Sequence, residues 1–190
     1  MENISKGQVN RSAAEIYQEF FVPALFAEWA DRVAKSASIT KDQRVLDVAC
    51  GTGVLTRAVT EQVGTEGSVV GLDVNDGMLT VARSQSIPSA QIEYRQGAAE
   101  SLPFEDNSFD AVVSQFGLMF FEDRAQSINE MIRVLKPDGH FAVAVWGALA
   151  ETPGYQAMVD LLTRLFGAEV AEGIRAPYVL GDTTDLTPLF

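Results

Sequence analysis

The sequence predicts an α/β domain, a doubly wound and mostly parallel sheet with helices on both faces. Three observations carry the prediction. From Arg44 onward, short apolar runs rich in Val alternate with stretches whose apolar residues recur at helical spacing. The first of these runs, VLDVA, ends in the glycine turn CGTG and resumes as a helix. Right-handed βαβ units are the way such an alternation closes, which buries each strand on two faces.

The elements follow in order. Ser12 to Glu15 read S-A-A-E, a capping box that opens a helix. Pro23 should break that helix, after which Leu25, Trp29 and Val33 continue at four-residue spacing, so two short helices are expected. VLDVA is the first strand, and Val54, Leu55, Ala58, Val59 and Val63 line the face of the helix after it. SVVGLDV is a second strand, followed by a helix that turns Met78, Leu79 and Ala82 to one side. A short strand IEYRQ, a loop GAAESLPFEDNS and a strand FDAVVSQF come next. Ile128, Met131, Ile132 and Leu135 mark a further helix that KPDG should end, and HFAVAVW is the last strand. The tail from Thr152 reads as a helix with Pro153 at its first position, Tyr155, Met158, Val159, Leu162 and Phe166 inward, and Gly167 after its end. Asp182 with Asp185 marks one more helix start.

Composition narrows the function. The chain has 190 residues, 47% of them hydrophobic, enough for one continuous core. A net charge of −12, with no local Lys/Arg cluster, would repel a phosphate backbone and disfavours nucleic acid as a partner. No apolar run reaches the ~20 residues of a bilayer span and the N-terminus lacks a signal-peptide core, so a cytoplasmic protein is expected. One cysteine and one histidine, Cys50 and His140, cannot build a zinc cluster. No metal is expected.

The glycine turn states what it is built to hold. A dinucleotide-binding turn needs G-x-G-x-x-G, and here the third glycine is replaced by Thr56. The turn carries Asp47 near the end of its strand, which would repel a pyrophosphate and attract an ammonium or a sulfonium. Ala49 and Cys50 keep the approach to Gly51 narrow. Twenty positions beyond Gly53, Asp73 closes the second strand, where an acid can accept hydrogen bonds from both hydroxyls of a ribose. An adenosine with a cationic amino-acid arm satisfies both acids.

At these residues the chain resembles the class I S-adenosylmethionine-dependent methyltransferases, Rossmann-like enzymes, and within them the small-molecule group similar to ubiquinone/menaquinone C-methyltransferases. The resemblance runs from Val45 to Trp146 and is carried by LDVACGTG, VVGLDVNDGML, GAAESLPFEDNSFDAVVSQFGLMFF and the helix ending VLKPDG. It implies that Asp47, Ala49, Cys50, Gly51 and Gly53 surround the methionyl part of the cofactor and that Asp73 grips the ribose. Val74 and Met78 would pack on the adenine, the Ala98–Ala99 backbone would meet its edge, and Ser114 and Gln115 would lie beneath the methionine amino group. It further implies a helical lid over residues 1–40, a cofactor-binding core over 41–150 and a C-terminal portion from 151 to 190.

Two departures accompany the resemblance. The loop after the third strand has Ala98 where family members often carry an acid that accepts from the adenine amino group, with Glu100 two residues on. A missing neutral bond there would weaken binding by about 0.5–1.5 kcal/mol. The family normally adds two more strands after the Thr152 helix, and this chain stops at TTDLTPLF. We therefore expect a sheet that lacks its last two strands, from a chain shortened relative to the family. FAVAVW then becomes an edge strand with an apolar face, which a second copy of the chain could cover as a homodimer.

Other residues are weighed against plainer roles. Cys50 reads as a small residue of the turn rather than a nucleophile, since no histidine stands near it. His140 enters a strand from a turn, away from the ligand loops, so it and Tyr17 are weak candidates for a base. The N-terminal aromatics Tyr17, Phe20, Phe21, Phe26 and Trp29 belong more often to a core than to a pocket; of these Tyr17 and Trp29, together with Phe116, Met119 and Phe120, are the candidate acceptor contacts. The expected function is transfer of a methyl group from S-adenosylmethionine to a small organic acceptor by in-line displacement. A non-catalytic cofactor-binding or dimerising module and a nicotinamide-dependent oxidoreductase remain as alternatives.

Overall fold

A computed structural model describes residues 11–85 and 91–190. Five strands, β1 (Arg44–Val48), β2 (Ser68–Asp73), β3 (Ile92–Gln96), β4 (Phe109–Gln115) and β5 (Leu135–Ala144), form one sheet in the order β3-β2-β1-β4-β5. Every pairing is parallel. The chain runs outward from β1 to β3, then returns to lay β4 on the other side of β1. That reversal opens a crevice above the carboxyl ends of β1 and β4.

The central strands β1, β2 and β4 are buried on both faces, as their near-continuous apolar runs require, whereas the edge strands β3 and β5 are partly exposed. Successive residues alternate between two cores. Val45, Val69, Ala111 and Val113 face Leu55, Val59 and Val63 of α3 (Val54–Val63) and Ala30 and Val33 of α2 (Ala27–Ser36). Leu46, Val70, Leu72 and Val112 face Met131 and Val134 of α5 (Arg124–Val134). Helix α4 (Asp76–Gln85) buries Leu79, Val81 and Ala82. The loop from Gly97 to Ser108 is tied down by Arg133, which donates to Phe104 O at 2.8 Å and Leu102 O at 3.0 Å and pairs with Asp106 and Glu130.

Three expectations are corrected. Pro23 does not break the N-terminal helix. Helix α1 (Arg11–Ile16) passes into a π-helical segment, Tyr17–Phe26, and then into α2. The wider register, with Ala27 N–H donating to Val22 O, admits a proline without ending the helix. Ser12 stands inside α1 rather than at its cap, and its side chain lies outside the described residues. The second correction concerns β5, which begins at Leu135 and absorbs KPDG. Leu135 pairs with Phe109 but His140 with Ala111, so Lys136–Gly139 bulges out, with Asp138 at φ +65°.

The third correction is α6 (Pro153–Phe166). Its start at Pro153 and its end before Gly167 are as expected, but of the five residues assigned inward only Val159 is fully buried, while Tyr155, Met158 and Phe166 are exposed. The helix packs chiefly against α7 (Ala168–Arg175), with Tyr155 against Tyr178, so its neighbours cover only part of its apolar surface. The chain then returns to the sheet: Leu180 is buried with Phe116, Leu118, Met119 and Ile128. A short helix α8 (Thr183–Leu186) is capped by Asp182, which accepts from Thr184 N. Phe190 packs its ring 5.8 Å from that of Phe141 on β5. Among the described residues no strand pairs with the outer edge of β5. No helix of the described residues is long and apolar enough to cross a membrane.

Candidate active site

The glycine turn after β1 is bent by three residues with positive φ, Ala49 (+58°), Gly51 (+55°) and Gly53 (+80°). The strain at Ala49 is offset by Cys50 N–H, which donates to Leu72 O at 3.0 Å and stitches the turn to β2. Gly53 caps α3, and a side chain there would collide with the Tyr94 phenol as well as demand the left-handed region.

Two carboxylates face each other across this turn. Asp47 is 1% exposed, and its Oδ2 accepts from Thr56 Oγ1 at 2.6 Å, while Oδ1 has no partner. Burial pushes its pKa up to about 7 against that hydrogen bond, with the charge of Asp73 adding to the rise. Asp73, 9% exposed at the end of β2, accepts from Gly51 N through Oδ2 and from Asn75 N through Oδ1, both at 2.8 Å. It thereby holds the β1 and β2 turns together. Burial raises Asp73 too, and the backbone N–H groups oppose the rise. Burial, with Asp73 second, raises the Tyr17 phenol, and burial ahead of Asp47 and Asp73 raises the Cys50 thiol. The turn is short of positive charge.

The carboxylates stand where two adjoining cavities meet. One, of about 310 Å³, lies between the end of β2, the Gly97–Glu100 stretch and Phe120 to Glu122. The other, of about 300 Å³, lies under the π-helical segment and is walled by Tyr17, Phe26, Met78, Phe116 and the glycine turn. They share Ala49, Asp73, Val74, Phe120 and Phe121, so they form one cleft pinched at Asp73.

Of the residues expected at the cofactor, Asp47, Ala49, Cys50, Gly51, Asp73, Val74, Met78 and Gln115 wall the cleft beneath the helix or at the pinch, and Ala98 and Ala99 wall its other half. Gly53 shapes the turn without lining the cleft. Ser114 is fully buried behind the wall with an unpartnered Oγ. Of the candidate acceptor contacts, Tyr17, Phe116 and Phe120 line it. Trp29 and Met119 do not. Trp29 packs edge-on to Phe116 and Trp146 at 6.1 and 6.4 Å with Arg32 over its face, and Met119 is buried beside Ile128 and Leu180. His140 pairs with Ala111 near the amino end of β4, outside the cleft.

Sequence reasoning left Phe26 with the core aromatics and missed Thr52, Phe121 and Glu122, whereas all four stand on the cleft wall. Thr52 sits between the turn glycines and Phe121 beside Phe120, so adjacency could have found both. Phe26 arrives through the π-helical register, which no pattern announced. Glu100 lines the cleft near Ala98, but its Oε1 accepts from Glu122 N at 3.0 Å and Asp123 N at 3.4 Å, so it serves to hold that loop.

Comparisons with known proteins bear on the family and the fold. A model of the ubiE/COQ5 methyltransferase family matches residues 20–164. The chain is 39% identical over 143 residues to the demethylmenaquinone methyltransferase of Staphylococcus carnosus (strain TM300), covering 73% of this chain and 59% of that one. It is 42% identical over 111 residues to that of Staphylococcus aureus (strain MRSA252), covering 58% and 46%. The chain spans about half the length of the curated relatives it matches. A crystal structure of a SAM-dependent methyltransferase from Aquifex aeolicus superposes with a TM-score of 0.65 over 74% of each chain at 22% identity, a likeness of fold.

Proposed function

The chain belongs to the ubiE/COQ5 methyltransferase family, and on that premise we propose that it transfers a methyl group from S-adenosylmethionine to a small, flat and largely apolar acceptor in the cytoplasm. The observation that carries the reading is a pair of buried acceptors without donors. Asp47 and Gln115 wall the same cavity, and Asp47 Oδ1 and Gln115 Oε1 are both buried without a hydrogen-bond partner. Unpartnered buried acceptors are costly, and an ammonium group, with three donors and a positive charge, satisfies both.

The donor and acceptor set fits the cofactor's amino-acid arm and ribose. Asp47 and Gln115 would take its amino-acid end. Asp73, with one N–H already on each oxygen, keeps lone pairs for ribose hydroxyls. Val74, half exposed on the cleft floor, and the Ala98–Ala99 backbone would hold the base, and Ala98 supplies no side-chain acceptor to it. When bound, the cofactor supplies a methyl group on a sulfonium already activated for in-line displacement.

The chain's own contribution is then placement, worth as much as ~7–11 kcal/mol when two reactants are held in line. Phe26, Phe116, Phe120 and Phe121 give apolar walls, and aromatic faces favour a passing cationic methyl. The Tyr17 phenol, kept protonated by burial, is a hydrogen-bond donor for an acceptor oxygen rather than a base. The helical run from Arg11 to Ser36 acts as a lid that keeps water from the cleft.

Calorimetric titration with S-adenosylhomocysteine, with NADH as control, tests the reading. Micromolar binding of the former alone supports it, and binding of NADH alone, or of neither by a folded protein, refutes it. The relatives are named for demethylmenaquinone, so a short-chain compound of that class is the first acceptor to assay. Sedimentation of the same sample reads whether two copies pair over the outer edge of β5.

A further inference from the structure

We infer that Gln115 is a positioning residue that makes the seating of the lid depend on occupancy of the amino-acid end of the cleft. The inference rests on the cofactor reading above. Gln115 closes β4 at the cleft, and its side-chain amide carries a donor and an acceptor on one rigid plane. Nε2 donates to Phe26 O at 3.0 Å, a bond that spans 89 residues of sequence. Oε1 on the same amide is buried and has no partner.

Phe26 stands where the π-helical segment gives way to α2, at φ −116° and ψ −33°, so the Gln115 bond pins the lid at its bend. What the pin controls is the acceptor wall. The Phe26 ring stacks 5.1 Å from that of Tyr17, tilts 5.9 Å from that of Phe116, and all three residues line the same cavity. With Oε1 unpartnered, the amide is held by a hydrogen bond from one side only. A ligand ammonium shared between Asp47 Oδ1 and Gln115 Oε1 fixes the amide plane, and the same plane then aims Nε2 at Phe26 O. Occupancy of the amino-acid end therefore steadies the wall of the acceptor site.

Hydrogen–deuterium exchange across Tyr17–Phe26, with and without S-adenosylhomocysteine, tests this in the wild type, Gln115→Met and Gln115→Glu. Gln115→Glu keeps an acceptor for the ammonium and loses the donor to Phe26, whereas Gln115→Met loses both. In the wild type the ligand should slow exchange of the glycine turn and, by tenfold or more, that of the lid. At saturating S-adenosylhomocysteine, Gln115→Glu should protect the turn yet slow the lid less than twofold. Gln115→Met should bind more weakly and, at saturating ligand, show the same uncoupled lid. Tenfold lid protection in both variants overturns the inference, as does a wild-type lid that ignores a ligand protecting the turn. Absence of protection anywhere in the folded wild type instead overturns the cofactor reading on which it rests.

Discussion

Cofactor binding should be coupled to release of one proton, and Asp47 is the group that releases it. In the empty cleft its pKa lies at about 7, raised chiefly by burial, so below neutrality most molecules carry a neutral Asp47. An ammonium ligand demands the carboxylate. Affinity for S-adenosylhomocysteine should therefore fall toward tenfold per pH unit below 7, which between pH 7.5 and 5.5 amounts to about 25-fold, or roughly 2 kcal/mol at about 1.36 kcal/mol per unit. Stability of the empty protein runs the other way. A folded-state pKa raised from 3.8 to about 7 contributes stability that is fully present below about pH 4 and lost as pH rises through 7, as much as about 4 kcal/mol in all. Glu130 opposes this at the acid end: hydrogen bonds from Arg133 hold it below its usual range, so its contribution is lost as pH falls through that range. The assay is titration calorimetry in buffers of different ionisation enthalpy, with thermal melts of the empty protein from pH 8 to 5.5. Close to one proton should be released per ligand at pH 6, and Asp47→Asn should abolish both the release and the pH slope. An affinity constant within threefold across that window, with no buffer-dependent heat, refutes the argument.

Two further outcomes follow from β2. Asp73→Ala should weaken S-adenosylhomocysteine by about 1.5–3 kcal/mol, since a charged acceptor is lost from the ligand, while Gly51 N and Asn75 N lose theirs and the fold loosens, partly offset by removing a buried charge. Unchanged affinity in a folded variant, read by the same calorimetry, rules that role out. Gly71→Ala would put a methyl group 2.8 Å from the Tyr94 ring and 3.0 Å from Cys50 Sγ, and overpacking of that kind should cost about 1–3 kcal/mol in chemical denaturation. Tyr94→Leu should recover part of the loss, and a Gly71→Ala protein as stable as the wild type would show that the site has room.

The sequence announced what local pattern can announce. Apolar strands separated by 3.6-period helices located β1 to β4, and Asp47, the turn glycines and Asp73 were legible because strand ends and tight turns have short-range signatures. The failures share a cause in tertiary context. Pro23 signals a helix break to any local rule, and only the register shift to Ala27–Val22 shows why it is tolerated. Trp29 and Phe26 lie three residues apart, and which of them reaches the cleft is decided by the bend between them. The α6 stripe named an apolar face correctly as chemistry but could not say that α7, rather than the sheet, would lie against it. KPDG is a strong stop signal for α5, and it did stop the helix, yet β4 already offered a ladder on which the bulged chain could pair.

Cys50 gives the protein a built-in stopwatch. It is the single cysteine of the chain, it lines the cleft at the glycine turn, and its buried thiol resists ionisation. A thiol-directed dye has only one place to attach and must enter the cleft to reach it, so the labelling rate counts openings of the helical cover without any engineered probe. A ligand that fills the turn stops the clock, and graded protection by successive candidates ranks how fully each occupies that end of the cleft.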